Sequence, residues 1–243
     1  ELKEEGKTII FITHKLAETM EISDEITILR QGKSVNTMKT KDTYENELAR
    51  LMVGGDINFE LKKEKLSRSV KKLEIKDAKL LKNSKKNINL DIYGGEIHGI
   101  AGVDGNGQQE LEKIIMGIDK LEAGEIYLNG KNITKLDVKD RRNMGIGYIP
   151  ADRWKYGVVQ EMSLLDNYLL GQQYKENKYT KNGIIDKVKI EETGKKLIEN
   201  YDIKIVDLDQ LMSKLSGGNQ QKIVLSREVE ADPDVLIVSQ PTR

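Results

Sequence analysis

The chain has 243 residues, with 40 lysines and arginines against 40 aspartates and glutamates, so its formal net charge is zero. This balance provides no overall field that would draw the chain to nucleic acid or to an anionic membrane. No apolar run approaches the roughly 20 residues of a membrane span, and we expect a soluble chain. Because it has no cysteine, a disulfide framework and thiolate chemistry are excluded.

The first part of the chain predicts a small unit of alternating strands and helices. The run KTIIFITH, residues 7–14, is apolar and β-branched, which indicates a buried strand. A helix, a strand within EITILRQGK and a second helix that ends at Gly54 and Gly55 follow it. A unit of about fifty residues is too small to cover both faces of a parallel sheet. We therefore expect the tail of a larger domain, and both ends of the sequence look like cuts.

A second domain is predicted after a charged segment. Residues 56–70, DINFELKKEKLSRSV, have no clear apolar period and are predicted to be a linker. Strands are expected in KLEIKDAKLL, in NINLDIYGGEIHGIAG and in GEIYLNGKNIT, which contains an Asn129-Gly130 turn. Helices follow, and the last of them starts at a Ser-Gly-Gly sequence and ends at Asp232-Pro233. The buried strand DVLIVSQPT completes an α/β pattern with a largely parallel sheet.

The stretch GVDGNGQQEL joins the predicted strand EIHGIAG to a helix and has the glycine spacing of a phosphate-binding loop. Gln108 stands at the lysine position of that pattern and Gln109 at the hydroxyl position. Backbone N–H groups and a helix N-terminus remain for a phosphate, but the groups that serve phosphoryl transfer are missing. The loop alone does not distinguish a phosphate-binding loop from a glycine-rich turn that binds no ligand. The candidate ATP-binding residues are Gly102, Asp104, Gly105, Asn106, Gly107, Gln108 and Gln109.

A second motif, LSGGNQQK, favours the phosphate-binding interpretation of the glycine loop. Ser216 is placed to cap a helix, and the amides of Gly217 and Gly218 form an anion site at its start. Together with the glycine loop and DVLIVSQPTR, the motif resembles the signature of the ATP-binding-cassette ATPases. Its Asn-Gln-Gln-Lys ending is similar to the double-cassette ATPases of sugar and nucleoside importers, and GIAGVDGNGQ with SQPTR is closest to the nucleoside branch. The predicted signature residues are Leu215, Ser216, Gly217, Gly218, Asn219 and Gln220.

This resemblance implies a P-loop (RecA-like) α/β nucleotide-binding domain with an antiparallel β subdomain and a helical signature subdomain, in truncated form. Residues 1–55 resemble the C-terminal tail of a first cassette, and residues 71–243 resemble a second cassette that lacks its C-terminal end. His14 stands at the switch-histidine position of the first cassette, which contacts the γ-phosphate; a structural histidine is the alternative. His98, within a predicted strand, is expected to be structural.

Several positions depart from the family pattern. Ser239 and Gln240 stand where the family has the aspartate that holds magnesium and the catalytic glutamate. Neither side chain carries the negative charge that these roles need at pH 7. Ala151 falls at the position of the glutamine loop, so Gln109, Ala151 and Ser239 all mark degenerate Mg²⁺ positions. We expect a nucleotide site that is retained for binding or for shape and not for hydrolysis, and that holds Mg²⁺ weakly or not at all.

The resemblance also implies partners. Cassettes of this family work as head-to-tail pairs, with each nucleotide between one phosphate loop and the other cassette's signature. The expected partners are the other ATP-binding cassette and the membrane permease subunits of an importer, at the cytoplasmic face of the membrane as a peripheral subunit. The segment ADRWKYG, residues 151–157, is either the surface that meets the permease or a solvated loop. The tail is also expected to pack on the open sheet edge, within the chain or from a neighbouring chain.

Two other functions stay open at this point. One is a non-transport cassette protein of the translation or DNA-repair class, which would bind nucleic acid in a salt-dependent way. The even charge balance and the signature count against it, and we expect no nucleic-acid partner. The other is a fragment with no function of its own.

Overall fold

The computed structural model describes residues 2–30, 32–54, 69–80, 87–103, 105–173, 179–181 and 184–240. The chain divides into two compact units, Glu1–Lys65 and Leu66–Arg243. Most of the segment predicted to be a linker, residues 56–68, lies outside the described residues. No helix in the described ranges has the length and apolarity needed to cross a membrane.

The first unit is a β-hairpin covered by helices. Its elements are α1 (Leu16–Ile22), β1 (Glu25–Arg30), β2 (Lys33–Lys39) and α2 (Glu45–Val53). The two strands pair antiparallel, and Leu48 of α2 packs on Ile26 and Ile28 of β1. The helix ends at Gly54, whose φ of 85° is the left-handed conformation that glycine adopts at helix ends.

The predicted strand at residues 7–14 is wrong. These residues have no regular structure, and Ile10 and Ile12 are 87% and 91% exposed. An apolar β-branched run becomes a strand only when a neighbouring strand satisfies its backbone groups and a core covers its side chains. In the described part of the chain no strand pairs with this run.

The second unit begins with a four-stranded antiparallel sheet. Its strands are β3 (Lys71–Ala78), β4 (Ile88–Tyr93), β5 (Glu125–Leu128) and β6 (Lys131–Asn132), in the order β4-β3-β5-β6. Alternate residues of β3 and β5 are buried, which puts one face of the sheet on the core. The predicted Asn129-Gly130 turn is confirmed, because both residues have positive φ, 49° and 76°, between β5 and β6.

A parallel strand pair lies beside this sheet in the same core. The pair consists of β7 (Ile146–Ile149) and β10 (Val235–Val238), and α3 (Gln108–Met116) and α4 (Val138–Asn143) precede β7. Ile114 of α3, Ile126 of β5 and Ile146 of β7 belong to one buried cluster. Among the described strands, β7 and β10 are the two that pair in parallel, and the other pairs are antiparallel. The expectation of a largely parallel sheet is therefore met only in part.

The segment EIHGIAG, predicted to be a strand before the glycine loop, is not paired. Residues 96–103 carry no strand hydrogen bonds, and Ile97 and Ile100 are exposed. The reason is the same as at residues 7–14, since a strand needs a partner that lies elsewhere in the chain.

The remaining elements form a helical part. They are α5 (Arg153–Tyr156), α6 (Leu164–Leu169), the short hairpin β8 (Thr180–Lys181) and β9 (Ile184–Ile185), α7 (Lys187–Asn200), a 3₁₀ turn (Met212–Lys214) and α8 (Gly217–Val229). Leu164 of α6, Met212 of the turn and Ile223 of α8 share one buried cluster. Glu228 of α8 is fully buried and accepts hydrogen bonds from Arg142, Arg227 and the Tyr148 backbone, which ties α8 to α4 and β7.

Candidate functional site

The glycine loop is shaped by its own backbone. Gly105 and Gly107 have φ of 86° and 105°, a region in which a side chain would be strained. The Asn106 N–H donates to the Val103 carbonyl over 3.2 Å, which closes a tight turn before α3 begins at Gln108. No side chain caps that helix start, so its first N–H groups remain available to an anion. Asp104 lies outside the described residues.

Gln108 folds back across this loop. Its Nε2 donates to the Val103 carbonyl over 3.1 Å. A Cβ at Gly102 would lie 2.4 Å from the same nitrogen, so glycine at this position leaves room for the glutamine amide. The side chain at the lysine position therefore closes the loop as a neutral group. The attraction that the loop can offer a phosphate comes from backbone amides and the helix dipole.

The structure brings most of the degenerate positions together around one cleft of about 410 Å³. Gly102, Gln108 and Gln109 line one side of it, with Leu111 and Ile115 of α3 behind them. Ala151, Ser239 and Gln240 line the cleft from the ends of β7 and β10. Ser239 is fixed there because its N–H donates to the Ile149 carbonyl over 2.9 Å, which continues the parallel ladder by one residue.

The described lining of this cleft carries little charge and few ligands for a metal ion. Of the described residues that line it, none is a lysine or arginine, and Glu112 is the one carboxylate. In the described ranges no three acidic or histidine side chains converge. Mg²⁺ prefers several oxygen ligands with carboxylates among them, so the residues here do not fit it.

Cations lie in a second opening beside the first. This opening, of about 630 Å³, shares Gln109, Glu112, Ala151 and Gln240 with the first cleft. Its other lining residues are Lys113 and residues 152–156, which include Arg153 and Lys155. Asp152 starts α5 here, because its carboxylate accepts hydrogen bonds from the Trp154 and Lys155 backbone N–H groups, both over 3.1 Å.

The predicted signature residues form an exposed turn above buried residues. Ser216 caps α8, with its Oγ 3.4 Å from the Asn219 backbone nitrogen and 3.1 Å from Asn219 Nδ2. Ser216 and Gly218 are exposed, and no atom lies within 4 Å of a Cβ built on Gly218. Leu215 and Gln220 are buried below them. The turn thus presents the first N–H groups of a 13-residue helix to its surroundings.

Other contacts at the base of this turn are absent from the sequence predictions. Gln220 Nε2 donates to the Met212 and Leu215 carbonyls over 2.8 and 3.3 Å. Its Oε1 accepts from the Trp154 indole over 2.9 Å. The predictions include Gln220 as a signature residue, but they contain no contact between it and residues 151–157. The one signal was that Trp154 is the single tryptophan of the chain.

Neither histidine is among the described residues that line this cleft. His14 is exposed in the first unit, and its role as a switch histidine stays a prediction. His98 lies in the unpaired segment before the loop, with its Nδ1 3.8 Å from a Glu96 carboxylate oxygen.

Comparison with known proteins identifies a family. The family model described as ABC transporter matches residues 85–243. The chain is 42% identical over 247 residues to the nucleoside import ATP-binding protein NupA of Lactococcus lactis subsp. cremoris. It is also 42% identical over 247 residues to the guanosine import ATP-binding protein NupO of Bacillus subtilis. Both alignments include 100% of this chain and 48% of the relative, so the chain spans about half the length of these relatives.

Solved structures share the fold. The dimeric ATP-binding cassette MJ0796 with bound ADP and Pi matches with a TM-score of 0.58 and 24% identity, over 70% of this chain and 74% of that chain. The cassette MJ1267 in its ADP conformation matches with a TM-score of 0.55 and 20% identity, over 72% of this chain and 70% of that chain. The predicted fold, a P-loop α/β cassette with an antiparallel β part and a helical signature part, is confirmed.

Proposed function

Since the chain belongs to the ABC transporter family, we propose that it is part of the ATP-binding, energy-coupling subunit of an importer for nucleosides or simple sugars. The named functions of NupA and NupO, nucleoside and guanosine import, support the nucleoside branch. Its expected partners are a second ATP-binding cassette and membrane permease subunits, at the cytoplasmic face of the membrane.

We infer that the second unit binds ATP without hydrolysing it. The observation that carries this inference is the cleft between the glycine loop and the end of β10, where the neutral side chains of Gln108, Ser239 and Gln240 meet. Loop amides, together with the start of α3, would hold phosphate oxygens. A serine hydroxyl and a glutamine amide do not activate a water molecule, because neither is a base at neutral pH.

The exposed signature turn supports the second half of the proposal. Ser216, Gly217 and Gly218 would contact a nucleotide held by the phosphate loop of the other cassette. The turn is already capped by its own serine, so it would present preformed N–H donors to that nucleotide. His14 would serve the same partner site. In this arrangement the degenerate cleft is a binding element, and catalysis takes place in the site that the signature completes.

The exposed apolar run of the first unit supports a further element of the proposal. Ile10 and Ile12 have no cover in the described part of the chain. We propose that residues 7–14, which pair with no described strand of the chain, pair with an open sheet edge in a neighbouring copy. A monomeric chain whose residues 7–14 exchange their amide protons as fast as a free peptide would contradict this pairing.

The binding half is tested by calorimetric titration of Mg-ATP into the 243-residue chain. We expect saturable binding, and we expect Gly107→Asp to abolish it, because that change puts a carboxylate at a backbone position with φ of 105° beside the phosphate amides. Absence of heat at millimolar ATP, or equal heat from both chains, would contradict the proposal.

A further inference from the structure

A hydrogen bond joins the exposed surface at α5 to the buried base of the signature turn. Trp154 is 65% exposed, whereas Gln220 is 3% exposed. The indole Nε1 of Trp154 donates to Gln220 Oε1 over 2.9 Å, and Arg153 Nε lies 3.4 Å from the same oxygen. Because Trp154 is largely outside the core, packing alone does not hold it in place. The bond to Gln220 fixes its orientation.

The other end of the Gln220 side chain is anchored in the signature segment. Its Nε2 donates to the Met212 and Leu215 carbonyls, immediately before Ser216. One amide group therefore contacts the 3₁₀ turn, the start of α8 and the α5 segment at the same time. A buried amide whose donor and acceptor groups are all hydrogen-bonded holds these three segments in a single arrangement.

The α5 segment also forms part of the nucleotide cleft. Ala151 lines both openings beside the glycine loop, and residues 152–156 line the second. After α5 the chain runs alongside the signature segment, where Gln160 and Met162 carbonyls accept from the Ser213 and Met212 N–H groups, each over 3.0 Å. Residues 151–162 thus connect the cleft to the residues that precede the signature turn.

From these contacts we propose that Trp154 and Gln220 are a positioning pair, which sets the signature turn relative to the wall of the nucleotide cleft. In this proposal the pair acts through Met212, Leu215 and the Ser216 turn and not by touching a nucleotide. The proposal rests on the proposed function, because the turn matters to transport only if it serves a nucleotide in the partner site. The hydrogen bond between Trp154 and Gln220 is a property of the free chain and is tested without nucleotide.

The test is hydrogen exchange, measured by mass spectrometry, on the full chain and on Trp154→Phe. This variant removes the indole donor, keeps an aromatic ring at the position and leaves the anchors of Gln220 to Met212 and Leu215 intact. We expect residues 212–220 to exchange about fivefold faster, the factor that one ordinary hydrogen bond provides. Tyr156→Phe is the matched control, since it alters an aromatic side chain of the same short helix, and we expect no change at residues 212–220. If Trp154→Phe also leaves them unchanged, Gln220 is a local cap and the pair is refuted.

Trp154 fluorescence tests whether Gln220 in turn holds Trp154 in place. Gln220→Leu is expected to increase acrylamide quenching of Trp154, whereas Gln210→Leu, which removes one hydrogen bond to the Val206 backbone, leaves quenching unchanged. Equal quenching in both variants would overturn the proposal. Failure of ATP to bind in calorimetry would contradict the proposed function and leave these two results as they stand.

Discussion

Gln108 shows how one residue changes the chemistry of a phosphate loop while its shape is kept. The backbone turns at Gly105 and Gly107 remain, but the side chain that would carry a cation donates instead to the Val103 carbonyl. A neutral amide in this position holds the loop closed and adds no charge for a phosphate. We therefore expect weak phosphate binding through backbone amides, with affinity as the property that a single substitution should change most.

Restoring the cation is expected to tighten binding. Gln108→Lys should lower the Kd for Mg-ATP about tenfold, because a hydrogen bond to a charged group contributes about 1.5–3 kcal/mol. Phosphate release should stay at background, since Ser239 and Gln240 are unchanged. Calorimetry compares this variant with Gln210→Lys, which adds the same charge away from the cleft. Equal affinity in the two variants would show that phosphates do not reach residue 108.

At the scale of elements, the signature helix depends on buried charge. Glu228 is 0% exposed and lies 3.0 Å from Arg142 Nη2 and from Arg227 Nε. It also accepts from the Tyr148 backbone N–H of β7. These contacts fix α8 against the parallel strands, so the position of the signature turn at one end of α8 depends on this carboxylate near its other end.

Removing that carboxylate should be costly. We expect Glu228→Ala to lower the free energy of unfolding by about 3–5 kcal/mol, because it leaves a buried arginine and a buried N–H group without their acceptor. Urea unfolding followed by circular dichroism measures the loss. Glu191→Ala, at an exposed position on α7, is the control and should change stability by less than about 0.5 kcal/mol. A loss at Glu228 as small as the control's would show that the charge network contributes little.

The start of β10 should give stability a pH dependence. The ammonium of Lys72, 2.6 Å away, and a hydrogen bond from Asn129 lower the pKa of Asp234. A carboxyl with a lowered folded pKa contributes stability above its unfolded pKa, and loses it as pH falls through the folded value. Asp234→Asn should therefore destabilise the chain at pH 7, by up to about 1 kcal/mol for a partly exposed pair. The urea midpoints of the two chains should converge as the pH falls through the folded pKa of Asp234, and a difference that does not shrink with falling pH would contradict the assignment.

At the scale of the whole molecule, the features predicted from sequence are those that a short segment determines. The Asn129-Gly130 turn, the Ser216 cap and the Gly54 helix end depend on a few neighbouring residues, and all three are confirmed. The predicted strands at residues 7–14 and 96–102 fail, because a strand depends on partners elsewhere in the chain. Sequence spacing gives no contact between Trp154 and Gln220, which lie 66 residues apart. Gln108 and Gln109 follow from the phosphate-loop spacing. Ala151, Ser239 and Gln240 could be assigned only by family resemblance, since the cleft joins the glycine loop to segments far along the chain.

The proposed function requires that this cleft binds ATP and does not hydrolyse it. The most direct test incubates the 243-residue chain with γ-labelled Mg-ATP at concentrations that saturate the calorimetric site, then measures bound nucleotide and released phosphate in the same sample. We expect bound ATP, with phosphate release no greater than that of Gly107→Asp. The opposite result is phosphate release by the unchanged chain that is abolished in Gly107→Asp. It would contradict ATP binding without hydrolysis, because hydrolysis would then proceed without the aspartate, the glutamate and the loop lysine.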